Sequence, residues 1–368
     1  LFKYHMETTI AEKAKENGFL LNRMEMMGHE QVVFCNDKES GLKAIIAIHN
    51  TTLGPSLGGT RMWNYASEAE ALQDVLRLSR GMTYKSAISG LNLGGGKAVI
   101  IADPHNDKSE ALFRRFGKFV NSLGGKYITA EDVGVSPKEM IWVNMETNHV
   151  SGLPGKSGDP SPVTAYGVYM GMKAAAMKAF GSESLKGKKI SVQGAGHVGE
   201  YLIQFLEKEE AEIFVTDIYK PTLDRIEKDY KVTIVSPEDI YDLDVDIYSP
   251  CALGATVNDD TLSRLKCKVI AGAANNQLQD EVKHGKMCMD MGITYAPDYL
   301  INAGGVINCF FEVTGYDKEK VMDLTKDIYN TTLAIFDKAE QENIPTYLAA
   351  NKMAEERIEK IGKIKLSL

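Results

Sequence analysis

Lys189-Ile190-Ser191-Val192-Gln193-Gly194-Ala195-Gly196-His197-Val198-Gly199 is the stretch that decides the fold. A short apolar run breaks into Gly-x-Gly-x-x-Gly. A helical segment, Glu200 to Glu209, follows, and a second apolar run, Ala211 to Thr216, ends at Asp217. Strand, glycine loop, helix and strand, with an acid about 20 residues past the loop, form the pattern that binds a dinucleotide. Glycine lets the backbone approach a pyrophosphate, and the start of the helix meets its charge. Gly194, Gly196, His197, Val198 and Gly199 are therefore the expected phosphate-side residues. Asp217 would accept hydrogen bonds from the adenosine ribose and repel a 2'-phosphate, which predicts NAD rather than NADP.

Working downstream, strands are expected over Lys231 to Val235, Val245 to Ser249, Cys267 to Ile270 and Gly292 to Tyr295, with helices or loops between them. Such alternation predicts a doubly wound parallel sheet with its ligand beyond the carboxyl edge. The loops at that edge, 250–254, 272–276 and 297–308, hold Asn275, Asn276 and Asn302, which read as turn formers or as contacts to nicotinamide or substrate. Residues 321–363 read as helix interrupted at Ile344-Pro345, long enough to return and pack on the first domain. Upstream, a long helix is expected over Val163 to Phe180, and the Gly/Pro/Ser-dense run 151–162 reads as the passage between domains. The expected division is 151–335 for the dinucleotide domain and 1–150, with about 336–368, for a substrate and oligomerisation domain.

Residues 1–24 read as an amphipathic helix, Gln31 to Cys35 and Leu42 to Ile48 as strands, and Leu53 to Arg61 as a glycine-rich loop. A helix over Ser67 to Arg80, opened by Ser67 and Glu70 as a capping box, leads to Lys85. Gly94-Gly95-Gly96 reads as a loop that presents Lys97 at the start of a strand, Ala98 to Ile101. A helix over Ser109 to Leu123 and a strand over Lys126 to Thr129 lead to Asp132, ahead of a helix start at Ser136-Pro137. Lys85, Lys97 and Asp132 all lie beside glycine in apolar runs, the setting of bases, carboxylate binders and shifted carboxylates. A phosphate loop would need glycine at 91 and a hydroxyl at 98, where the chain has Leu91 and Ala98. A tight loop for Lys97 and a turn or capping role for Asp132 stay open on spacing alone.

At 368 residues, about two domains are expected. A net charge of -8 argues against nucleic acid or an anionic membrane as partner, and favours a small-molecule enzyme. No apolar run approaches the roughly 18 residues of a membrane span, and the first residues show no signal-peptide pattern. Cys35, Cys251, Cys267, Cys288 and Cys309 are odd in number, scattered and without a C-x-x-C pair, as in reduced cytoplasmic proteins. Nothing in the spacing suggests a metal site.

Taken together, Leu57 to Trp63, Gly81 to Lys85, Gly90 to Lys97, Thr129 to Gly134, Ser161 to Gly167, Pro250 to Ala255, Gly272 to Leu278 and Ala296 to Asn308 resemble the Glu/Leu/Phe/Val amino-acid dehydrogenases, most closely the leucine-specific members. The resemblance covers nearly the whole chain. It implies an α/β protein of two domains, an N-terminal α/β substrate domain and a doubly wound Rossmann NAD-binding domain, with a C-terminal helix returning to the first. It further implies reversible NAD-dependent oxidative deamination of leucine and other branched-chain aliphatic L-amino acids, with closure of one domain on the other.

By the same resemblance Lys85 binds the substrate carboxylate, Lys97 is the general base and Asp132 moves protons at the nitrogen. Thr164, Ala252, Ala273 and Asn275 would join the cofactor contacts. Leu57, Gly58, Gly59, Met82, Ala130, Asn276, Val306 and Cys309 would join the substrate contacts. Glutamate-specific relatives carry lysine and serine where this chain has Leu57 and Val306, so a second carboxylate would be buried without a cation. Cys309 stands where leucine-specific members usually have valine, a change of similar bulk. The alternatives are a phenylalanine or valine dehydrogenase, since a methylene or two discriminates by only about 1–3 kcal/mol, and a non-catalytic sensor of NAD or amino acid. The resemblance also implies a homo-oligomer, possibly an octamer.

Overall fold

A computed structural model describes residues 19–366. Most of the helix expected over residues 1–24 lies outside the described residues. The chain divides into two compact units: unit 1 is the described part up to Thr83 with Asn92–Leu153, and unit 2 is Tyr84–Leu91 with the part from Pro154 onward.

Unit 1 runs α1 (Phe19–Met27), β1 (Gln31–Asp37), β2 (Leu42–Asn50), β3 (Ser56–Trp63), α2 (Glu68–Ile88, whose end belongs to unit 2), β4 (Gly94–Ile101), α3 (Glu110–Ser122), β5 (Tyr127–Glu131) and α4 (Pro137–Asn144). The sheet order is β1-β2-β4-β3-β5, antiparallel from β1 to β4 and parallel across β4, β3 and β5. Both faces are covered. Ile46, Ile48 and Ile100 pack with Phe113 and Phe116 of α3, while Ile45, Ala47 and Val99 pack with Leu72, Val75 and Leu76 of α2. Double coverage explains why residues 44–48 are continuously apolar rather than alternating. Each buried aliphatic side chain contributes about 1.5–3 kcal/mol.

Three expectations are corrected here. The glycine-rich run before Arg61 is strand β3 from Ser56 onward, at the centre of the parallel part. Gly94-Gly95-Gly96 likewise opens strand β4 rather than forming a loop. Low β-propensity hides glycine strands from sequence reading, yet these backbones pass too close to neighbours for a side chain: a Cβ on Gly96 would lie 2.7 Å from the Tyr127 ring. The helix expected to stop at Arg80 runs on through Gly81 to Ile88, so Met82 and Lys85 are helical. Gly81 costs that helix about 1 kcal/mol, which burial of Thr83 and Ala87 helps offset.

Unit 2 runs α5 (Ser161–Phe180), β6 (Lys189–Gln193), α6 (His197–Lys208), β7 (Glu212–Thr216), α7 (Lys220–Asp229), β8 (Val232–Ile234), β9 (Ile247–Pro250), α8 (Asp259–Arg264), β10 (Val269–Ile270), α9 (Glu281–Asp290), β11 (Thr294–Tyr295), α10 (Asp298–Ile301), α11 (Gly304–Thr314), α12 (Lys318–Lys326), α13 (Ile328–Glu342) and α14 (Thr346–Leu366). Its six strands are all parallel, ordered β11-β10-β9-β6-β7-β8. The order reverses between β6 and β9, the place where a doubly wound sheet holds its ligand.

Residues 297–308, expected as an edge loop, contain α10 and the start of α11. The residues from about 336 onward group with unit 2 and not, as the sequence boundaries had them, with residues 1–150. The reason lies at the end of α2. Arg357 of α14 donates to the carbonyls of Ala87, Gly90 and Leu91 at 3.1, 3.0 and 2.7 Å, and the Tyr84 hydroxyl donates to Glu355 at 2.6 Å. The final helix thereby binds carbonyls at and just beyond the end of α2 and draws residues 84–91 into unit 2.

Candidate active site

In unit 1, Lys97 follows Gly96 on β4 and is 7% exposed. Its Nζ lies 2.9 Å from Oδ2 of Asp132, in the turn just after β5. That turn is stitched to β3 by the bond from Met62 N to Val133 O, 2.9 Å. It requires glycine at 134, where φ is 77° and a Cβ would sit 2.1 Å from Met62 O. Gly59 of β3 makes room for the acid itself, since a Cβ there would come within 2.8 Å of Asp132 Cβ. The capping alternative for Asp132 falls: helix α4 is capped by Ser136 and Glu139. The tight-loop alternative for Lys97 falls as well, because the residue is in a strand and ion-paired.

A second cation shares Asp132. Arg61 Nε lies 3.2 Å from the same Oδ2, and Arg61 Nη1 lies 2.8 Å from Oδ2 of Asp74 on α2, which also accepts from the Tyr65 hydroxyl at 2.8 Å. Burial pushes the Asp132 carboxyl up, but Lys97 and Arg61 outweigh it and hold the group below its ordinary range. Burial lowers the proton affinity of Arg61, and Asp132 and Asp74 more than reverse this. Around the pair, Leu57 and Ala130 are buried and Gly58 approaches Met82. A cavity of about 400 Å³ lies against Arg61, Trp63, Tyr65, Asp74, Arg77 and Val133; Lys97 and Asp132 do not line it.

In unit 2 the three glycines of the loop after β6 divide the work. Gly194 takes φ 106°, and a Cβ on it would meet Ala252 at 2.7 Å; a Cβ on Gly199 would lie 2.1 Å from Gly194 O; a Cβ on Gly196 would meet nothing within 4 Å. The first makes the turn, the last allows helix α6 to pack on β6, and the middle one leaves open backbone at the helix start, as pyrophosphate binding requires. His197 is exposed there and Val198 partly buried. Asp217, one residue past β7, accepts from Ala195 N and Tyr219 N, both at 2.8 Å, which fixes the carboxylate beside the loop. These residues fit a dinucleotide.

The loop after β10 brings a second set together. Lys85 Nζ lies 3.3 Å from Asn275 Oδ1, and Asn302 Nδ2 donates to that oxygen at 2.8 Å and to Ala273 O at 3.0 Å. Two donors on Oδ1 turn the Asn275 amide hydrogens away from both. Asn276 takes a left-handed φ of 53°. Asp298 nearby is pushed up by burial, against the pull of the Gln277 N–H and the Lys85 charge. Thr164 sits in the first turn of α5 and donates to Pro160 O at 3.0 Å; a Cβ on Gly304 would touch its backbone N at 2.5 Å. Val306 and Cys309 lie one turn apart on α11, Val306 buried and Cys309 partly so.

The structure thus pairs Lys97 with Asp132 in unit 1 and places Lys85 with Asn275 in unit 2. Sequence reading gave no role to Arg61, Asp74 or Tyr65. Arg61 stands in the motif Gly58-Gly59-Thr60-Arg61, and an arginine among glycine and apolar residues was the available signal, but its acid lies 71 positions away.

Comparison with known proteins identifies the family. Residues 29–149 match the family model described as Glu/Leu/Phe/Val dehydrogenase, dimerisation domain, and residues 155–219 and 214–364 match Glutamate/Leucine/Phenylalanine/Valine dehydrogenase. Leucine dehydrogenase of Thermoactinomyces intermedius is 57% identical over 347 residues, 94% of each chain. Phenylalanine dehydrogenase of Lysinibacillus sphaericus is 49% identical over 343 residues, 91% of this chain and 90% of that protein. The crystal structure of L-tryptophan dehydrogenase from Nostoc punctiforme superposes with a TM-score of 0.84 at 46% identity, covering 93% of this chain and 99% of that one. The chain belongs to the Glu/Leu/Phe/Val dehydrogenase family of NAD(P)-dependent amino-acid dehydrogenases.

Proposed function

We propose that the chain catalyses the reversible, NAD-linked oxidative deamination of branched-chain aliphatic L-amino acids, leucine foremost, to the 2-oxo acid and ammonia. The observation that carries this reading is the Lys97–Asp132 pair, two ionisable groups 2.9 Å apart with Lys97 almost wholly buried. Lys85 binds the substrate carboxylate. Lys97 acts as general base and takes a proton from the water that adds to the imine carbon. Asp132 carries protons to and from the substrate nitrogen. NAD, when bound at Gly196 and Asp217, supplies the acceptor for the hydride from the α-carbon. Asp217 favours NAD because a 2'-phosphate would face its carboxylate.

The relatives include leucine, tryptophan and phenylalanine dehydrogenases, so the side-chain preference rests on this chain's own residues. Leu57 and Val306 are buried and aliphatic. Neither can neutralise a second carboxylate, whose burial alone would cost several kcal/mol. NADH absorbance with leucine, isoleucine, valine, phenylalanine, tryptophan and glutamate, in NAD and then NADP, tests the reading. Leucine should lead and glutamate fail; no amino-acid-dependent NADH at all, or glutamate as best substrate, would end it.

Homo-oligomer formation is part of the proposal, with unit 1 as its seat, since the model matching residues 29–149 is that of a dimerisation domain; β1 there is an edge strand with Phe34 54% exposed. Light scattering of the purified protein checks it, an octamer being the expected size and a monomer the refuting one. No helix among the described residues is long and apolar enough to cross a membrane. None of the five cysteines is in a disulfide, in keeping with work in the reducing cytoplasm.

A further inference from the structure

We infer that Arg61 is a positioning residue for Asp132, holding its carboxylate through Nε while Asp74 holds the guanidinium from behind. This rests on the deamination reading above and deepens it. Lys97 and Arg61 both meet Oδ2 of Asp132, at 2.9 and 3.2 Å. An oxygen that already bears two cationic donors is the poorer base, so Oδ1 is left as the oxygen that exchanges protons.

Arg61 is itself immobilised. Its Nη1 meets Asp74 at 2.8 Å, and Asp74 accepts from Tyr65 at 2.8 Å and from Arg77 Nη2 at 3.1 Å. The chain of contacts runs from helix α2, across β3, to the turn after β5, and ends on Lys97 of β4. Arginine is suited to this because its planar fork reaches two carboxylates from fixed directions; a lysine ammonium is one point charge on a flexible stem. The inner four charges, Lys97, Asp132, Arg61 and Asp74, cancel, which lets them stay partly buried, while Arg77 adds its charge at the half-exposed end. Without Arg61, Asp132 would keep only Lys97 and the Val133 backbone N–H, and a displacement of about 1 Å at a reacting group can cost up to about 100-fold in rate.

The test compares wild type, Asp132→Asn, Arg61→Met, Arg61→Lys and Asp74→Asn by pH profiles of kcat and kcat/KM with leucine and NAD, with thermal melts to confirm folding. In Arg61→Met, kcat should fall about 10- to 100-fold with leucine KM changed less than about threefold. The acid limb should move to higher pH, because a carboxylate that loses a neighbouring cation binds its proton more tightly. Arg61→Lys should bring the limb back towards wild type while kcat stays low. Asp74→Asn, which leaves Arg61 in place, should lower kcat less than Arg61→Met and keeps the inference testable if Arg61→Met fails to fold. Wild-type kcat with an unmoved limb in Arg61→Met, wild-type kcat in Asp74→Asn, or full recovery of kcat in Arg61→Lys would each overturn it. Failure of the wild type to oxidise any amino acid would overturn the functional reading along with it. Normal wild-type turnover lost in Asp132→Asn but kept in Arg61→Met would overturn this inference alone.

Discussion

Two glycine clusters, Gly94 to Gly96 in unit 1 and Gly194 to Gly199 in unit 2, look alike in the sequence and do opposite things. In the first, every missing side chain is replaced by protein: Cβ atoms would strike Asn50 O at 1.9 Å, Thr83 N at 2.1 Å and the Tyr127 ring at 2.7 Å. The space is filled so that α2 and β5 can press against the strand that carries Lys97. In the second, the outer glycines are similarly filled but Gly196 faces nothing within 4 Å. Glycine beside a functional residue therefore marks a close approach, and only the neighbours say whether chain or ligand makes it. The charges divide in the same way. Unit 1 concentrates ion pairs around Lys97 and Asp132, while the unit 2 loops offer backbone N–H groups, amides and carboxylates held by backbone N–H groups, Asp217 and Asp298.

The largest effect expected is from Lys97→Ala, which should lower kcat at least about 100-fold while the far-UV circular dichroism stays that of wild type; near-normal turnover would remove the base from the mechanism. Next comes the glycine contrast itself. Gly59→Ala and Gly199→Ala should each lose about 1–3 kcal/mol of stability by overpacking, whereas Gly196→Ala should stay within about 0.5 kcal/mol of wild type and weaken NADH binding instead. Equal destabilisation of Gly196→Ala and Gly199→Ala in denaturant melts would break the comparison. Smaller again, Asp217→Ala should narrow the preference for NAD over NADP by about tenfold, the worth of one charged hydrogen bond; unchanged cofactor selectivity would take the ribose away from this acid.

The smallest effect concerns a histidine pair in unit 1. His29 and His49 pack edge to face at 4.8 Å, with His29 Nε2 2.8 Å from Ser79 Oγ and His49 Nδ1 2.8 Å from Thr83 Oγ1. Burial lowers His29 to about 4 and His49 to about 3. The unfolded chain takes up these protons near pH 6.5, the folded one only well below it. The associated stability is complete above about 6.5 and is lost as pH falls through the window down to those values. Melting temperature should drop across pH 6.5 to 4, and His29→Gln should drop less; parallel curves would show that the pair does not titrate in this way.

How much was legible can be argued from particular residues. The strand-loop-helix-strand run from Lys189 to Asp217 was readable because its determinants are local: each glycine answers to a turn, a helix start or a strand within a few positions. The pairing of Lys97 with Asp132 was reachable only through family resemblance, since Lys97 lies on β4 and Asp132 in the turn after β5. The strand identity of Ser56 to Arg61 and of Gly94 to Gly96 was hidden, because glycine carries little strand preference and its role lies in contacts with β5 and α2. The grouping of residues 84–91 with unit 2 was equally invisible, being set by Arg357 from the far end of the chain.

By itself, then, the sequence determined a dinucleotide-binding half, an acidic small-molecule enzyme, and which amines and acid stand beside glycine. Only the tertiary structure decided that β3 runs between β4 and β5, and so brings Arg61 to Asp132 across 71 residues with Asp74 behind it. Strand pairing and close backbone approach are long-range events, and no local pattern of residue types encodes which distant partner will fill the space a glycine leaves.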